Sequence, residues 1–149
     1  MLLLLSLFSA AHAGTAYDTL VVRDDVTCAS LGTPTPELRA ELLSLAGPEA
    51  EPAWVSTRAA GSLFDLYGSD ADFASLVSPW FSDPTRAGLG LIALTKLDKV
   101  PVASAVALAQ AALATPDERW QGRFRSRVAR SAIPEVAALV GVDASAGGK

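Results

Sequence analysis

Proline returns at Pro52, Pro84 and Pro116, 32 residues apart each time, and that interval limits what the chain can fold into more than any other feature. A second series, Pro36, Asp70, Pro101 and Pro134, recurs at steps of 34, 31 and 33 residues. Each of these positions opens an apolar-periodic segment. Proline in the first turn of a helix loses no hydrogen bond, and its fixed φ already suits the helix, so it marks a start. Two interleaved series sharing one period imply a helix pair repeated along the chain.

The segments behind these marks carry helical spacing. A helix is predicted over residues 36–46, with Leu38, Leu42 and Leu45 on one face and Gly47-Pro48 as the stop. Residues 52–67 place Val55, Ala59, Leu63 and Leu66 on one face before Gly68. A shorter helix over 70–78, with Phe73, Leu76 and Val77 apolar, ends at Pro79. The next, residues 84–97 behind Asp83 as N-cap, is apolar nearly all round, which predicts a central place with neighbours on several sides. Residues 101–113 turn Val102, Val106, Ala109 and Leu113 inward, residues 116–131 follow Thr115, and residues 134–140 form a last short helix. Residues 14–33 are an N-terminal extension or a first short helix. Thr19 to Val22 has the β-branched content of a strand, whereas the repeat register favours a helix over 24–31 capped by Asp24. The small, Gly-rich residues 143–149 are expected to be a disordered tail. Helices of this length cannot bury their apolar stripes alone, but stacked in register they share one core, so the expected class is all-α.

At 149 residues the chain fits one domain. Half of it is apolar and 19% is charged, the composition of a globular chain. The net charge of −4 argues against general nucleic-acid binding, which needs a basic excess. Residues 1–13 read as a signal peptide. An apolar run from Leu2 to Phe8 is followed by Ala11-His12-Ala13, a small-x-small cleavage pattern before Gly14, and the run is too short to cross a bilayer. The region before the run is atypical in having no Lys or Arg, which a late-assigned start codon or a non-secretory apolar strand would explain. The expected compartment is periplasmic or secreted, with no stable membrane insertion after cleavage. Cys28 is the only cysteine and makes no internal disulfide; a buried small apolar side chain is favoured over a reactive thiol, and Asp25-Val26-Thr27 before it does not fit a lipoprotein signal.

Asp83-Pro84-Thr85-Arg86 opens a helix that continues Ala87-Gly88-Leu89 to Leu94, and this resembles the HEAT repeat pattern of Asp-Pro, an early Arg and then Ala and Leu positions. Thr57-Arg58-Ala59-Ala60 with Leu63 is similar, and Pro116-Asp117-Glu118-Arg119 opens a third pair. The resemblance, to the degenerate HEAT-like arrays of bacterial proteins, covers about residues 34–141 of a repeat domain read as 34–142, and the second repeat departs from the pattern in lacking a Gly between its helices. What it implies is a short right-handed α-solenoid of about three helix pairs whose usual work is to hold another protein against its surface.

Five of the 12 Lys and Arg residues fall between Arg119 and Arg130. At about 100° per residue, Arg119, Arg123, Arg127 and Arg130 share a sector of roughly 80°, with Arg125 pointing elsewhere. Trp120, Phe124 and Val128 form an apolar seam beside it. The functional reading is a docking stripe for an acidic protein, since Arg grips carboxylates with a two-pronged fork. The competing reading is a solvated face whose long stems cover apolar surface. Trp80, in a connection between helices, is a candidate partner anchor, as Trp54 and Trp120 are to a lesser degree, although core packing is the commoner fate of Trp. Catalysis is not expected. The only histidine, His12, leaves with the leader, no Gly-x-Ser-x-Gly elbow occurs, and Asp24/Asp25, Asp70/Asp72 and Glu49/Glu51 stand at helix starts where acidic residues suit the helix dipole. No cofactor and no metal is implied. The expected function is a non-enzymatic, exported protein–protein interaction or scaffold module of the HEAT-like type, partner unknown. Its rivals are an enzyme accessory, since some HEAT-like arrays serve chromophore lyases, and a cytoplasmic adaptor whose apolar start is misread.

Overall fold

The computed structural model describes residues 15–22 and 28–145. The expected leader at 1–13, the Asp24/Asp25 pair and residues 146–149 of the expected tail lie outside the described residues, as does the side chain of Cys28. Among the described residues the chain is all-helical, without strands. Eight α-helices follow in order: α1 (Thr15–Val21), α2 (Pro36–Leu45), α3 (Ala53–Tyr67), α4 (Phe73–Val77), α5 (Ala87–Thr95), α6 (Val102–Leu113), α7 (Glu118–Ala129) and α8 (Pro134–Ser145). Tight 3₁₀ turns at Cys28–Leu31, Ser78–Phe81 and Leu97–Lys99 lie between them. No helix among these residues is long and apolar enough to cross a membrane.

The proline marks sit where a helix needs them. Pro36 is the first residue of α2, behind Thr35, whose hydroxyl accepts from the Leu38 amide at 3.1 Å. Pro52 and Pro101 flank the first residues of α3 and α6. Pro134 opens α8. After Pro116, Asp117 caps α7 by accepting from the Arg119 amide at 3.0 Å. Asp83 behaves differently from expectation. Its carboxylate accepts from the Thr85 amide at 2.9 Å and hydroxyl at 2.7 Å, so it closes a local turn and α5 begins only at Ala87.

The N-terminal element lies earlier than the repeat register suggested. The strand-like stretch from Thr19 falls in α1; of the expected 24–31 helix the described part, Cys28–Leu31, is a single 3₁₀ turn, and residues 24–27 lie outside the described residues. Seven residues are too few to hold a helix unaided. Here both ends are met by side chains from elsewhere: Glu41 of α2 accepts from the amides of Ala16 and Tyr17 at 3.0 and 3.3 Å, while Arg58 of α3 donates to the carbonyls of Leu20, at 2.9 Å, and Val22. An anion thus faces the positive end of the helix and a cation the negative end, and Ala16 and Leu20 bury the inner face.

Contacts between helices skip one along the chain. α1 packs on α3, α3 on α5 and α5 on α7, while α4 packs on α6 and α6 on α8. Neighbours in sequence close the pairs α2 with α3, α6 with α7 and α7 with α8. One apolar core runs through all of them, and α5 meets α3, α6, α7 and the Ser78–Phe81 turn. Side chains pin the ends: the Tyr67 hydroxyl accepts from the Thr35 amide at 3.1 Å and donates to its carbonyl at 2.9 Å, and the buried Thr115 hydroxyl donates to the Phe81 carbonyl at 2.6 Å. Helix α6 keeps Ala109 inside as expected, with Val106 and Leu113 half-buried against the core, but its inner face is shifted away from Val102. Ala105, Leu108, Ala109 and Ala112 are buried, whereas Val102 is 49% exposed, because the small alanines let α4, α7 and α8 approach where valine would hold them off. Helix α8 is longer than expected and takes in residues 143–145, which the sequence assigned to the tail.

Candidate functional site

Helix α7 buries Phe124 and Val128 against α5 and α6 and keeps Trp120 half-buried, as the seam predicted. The side next to this seam carries Arg119, Arg123, Arg127 and Arg130, all exposed. The four are not equivalent. Arg119 turns back on the cap, its Nε and Nη2 donating to the two carboxylate oxygens of Asp117 at 3.0 and 2.6 Å. This grip holds the Asp117 carboxyl below, and the Arg119 guanidinium above, their ordinary pKa values. Arg130 donates to the carbonyl and hydroxyl of Ser126 at 3.1 and 2.7 Å, tying down the last turn. Arg123 lies over the Trp120 ring, 5.1 Å from its centre. Trp120 stacks on Phe124 at 5.8 Å, and Phe124 meets Phe81 edge to face at 5.3 Å, so Arg123 tops a ladder of rings that reaches into the core. No carboxylate among the described residues pairs with Arg123, Arg127 or Arg130.

The ladder also sets the spacing of α5 from α7. A methyl group on Gly90 of α5 would come within 2.9 Å of Phe81 Cδ1 and 3.1 Å of Phe124 Cζ, so only glycine lets the two helices sit this close. Between them lies an open depression of about 340 Å³, walled by Leu91, Gly122, Arg123, Ser126, Arg127 and Arg130. A second, of about 400 Å³, continues past Arg127 and Arg130 to Ile133, over Leu94 and Leu97, with Asp98 on its rim. The two share Arg127 and Arg130 as a common wall. Of these residues the sequence had singled out only the arginines; Gly122, unusual in the interior of a polar helix, was the one further signal available there.

Trp80 has a different role from the one its position suggested. The Ser78–Phe81 turn folds inward against α4, α5 and α6, leaving Trp80 1% exposed, so it is a core residue and offers a partner nothing. Trp54 stays 37% exposed on α3. The Asp70/Asp72 pair is bound to Arg39, at 3.4 and 2.7 Å, and the Arg39 hydrogen bond holds the Asp72 carboxyl below its ordinary value. Among the described residues, no group of three or more His, Cys, Asp or Glu side chains is placed to hold a metal ion. Comparison of the chain with protein-family models, with curated proteins and with solved structures finds no match.

Proposed function

We propose that the chain is a non-enzymatic, exported interaction module of the HEAT-like type, a short right-handed α-solenoid of about three helix pairs that holds another protein against its surface. The observation that carries this is the skipping contact pattern, α1 to α3 to α5 to α7 and α4 to α6 to α8. Helices stacked in two such rows share a core with their neighbours only, and each row keeps a broad outer face that extends along the stack. Such faces suit recognition of extended partners. The arginine side of α7 gives one of them a charge that the rest of this acidic chain lacks.

A photo-reactive amino acid incorporated singly at Thr57, Ala107 and Ser126, all exposed, tests this in the native organism. One recurrent protein crosslinked from at least one position is expected, on a chain whose first residue is Gly14. The absence of any recurrent crosslink from all three positions overturns the scaffold reading. Recovery of chains that retain Met1 supports the cytoplasmic adaptor instead.

A further inference from the structure

We infer that the paired depressions between α5 and α7 take an extended acidic segment of a partner protein, its carboxylates on Arg123 and Arg127 and a neighbouring apolar side chain over Leu94, Leu97 and Ile133. The inference rests on the docking function proposed above and names the face and the chemistry of the partner. Charge is the first ground. Arg123 and Arg127 have no carboxylate partner among the described residues, and Arg130, held by Ser126, adds a fixed positive charge to the wall between the two depressions. A guanidinium held over an indole, as Arg123 is over Trp120 at 5.1 Å, keeps N–H groups available for a two-pronged carboxylate contact. The second ground is Gly122. Among the described residues, apart from its chain neighbours and its own helix backbone, nothing lies within 4 Å of where its Cβ would stand, and it occupies the middle of α7, where glycine is unfavourable by comparison with alanine. Internal packing therefore gives no reason for it. A bare backbone beside Arg123 lets another chain approach closely.

The third ground is the division of the surface. Asp98, which pairs with Lys99 at 3.9 Å, lines the second depression and disfavours further acid there, while Leu94, Leu97 and Ile133 supply apolar surface, so the segment carries its acidic residues at one end and an apolar one at the other. The patch is local on a chain of net charge −4, which disfavours long polyanions and anionic lipid sheets and leaves a short acidic peptide as the occupant that fits.

The test uses the full mature chain and a fluorescent peptide of three glutamates followed by leucine, read by anisotropy at low and high salt. Binding is expected to weaken with salt and to fall at least about tenfold in Arg123→Gln/Arg127→Gln. Ala107→Glu/Gln110→Glu, on the exposed side of α6, changes net charge by the same amount and is expected to leave binding intact. Gly122→Ala is expected to raise the melting temperature and still weaken binding several-fold. Absence of peptide binding, equal loss in the α6 control, or binding of anionic vesicles or single-stranded DNA in preference to the peptide overturns the inference. A recurrent crosslink from Thr57 or Ala107 without one from Ser126 would also remove this groove, while leaving the scaffold function standing.

Discussion

Gly90 has no room for a side chain, and the cost of giving it one is predictable. Its Cβ would press on the Phe81 and Phe124 rings from 2.9 and 3.1 Å, and both rings are fully buried, so neither has space to withdraw. Gly90→Ala is expected to destabilise the fold by about 1–3 kcal/mol, measured by urea unfolding. Thr115 makes the complementary case. Its hydroxyl is the donor to the buried Phe81 carbonyl, so Thr115→Val, which keeps the shape and removes the donor, should cost about 1–2 kcal/mol in the same measurement. Individual residues were unevenly legible in the sequence. Phe124 and Val128 declared their burial through helical spacing on a polar helix. Trp80 did not, because a residue in a connection carries no period, and only the inward fold of the Ser78–Phe81 turn decides its fate.

Among the elements, the prolines announced nearly every helix start after residue 35, because the missing amide and fixed φ act locally and survive any tertiary context. Faces were harder. Helix α6 is so uniformly Val, Ala and Leu that periodicity cannot choose its inner side, and the choice falls to which residues are small enough for close approach. Helix α1 was illegible for another reason. Its end from Thr19 onward has strand-like composition, and its helical ends are held by Glu41 and Arg58, 24 to 25 and 36 to 38 residues away. Glu41→Ala is accordingly expected to raise amide hydrogen exchange throughout α1 while exchange in α3, α5 and α7 stays unchanged. Equal exchange in α1 of the variant and the parent would show that burial of Ala16 and Leu20 alone suffices.

For the whole molecule, acid is the informative perturbant. Asp72, Asp83 and Asp117 are held below the ordinary carboxylate value, chiefly by hydrogen bonds from Arg39, Thr85 and Arg119 respectively. A lowered folded-state pKa contributes stability that is present above the unfolded value, near pH 4, and is lost as pH falls through the lowered values. The urea midpoint is therefore expected to stay level through neutral pH and fall below about pH 4. The fall should be shallower in Asp117→Asn and in high salt, since these pairs are exposed and screened. The two-ended hold on α1 also orders events in time. Helix α1 finds the groups that fix its two ends only after Glu41 and then Arg58 have been translated. Until both are made, seven residues are too few to hold a helix, so this stretch takes its final shape only together with α2 and α3, which follow it.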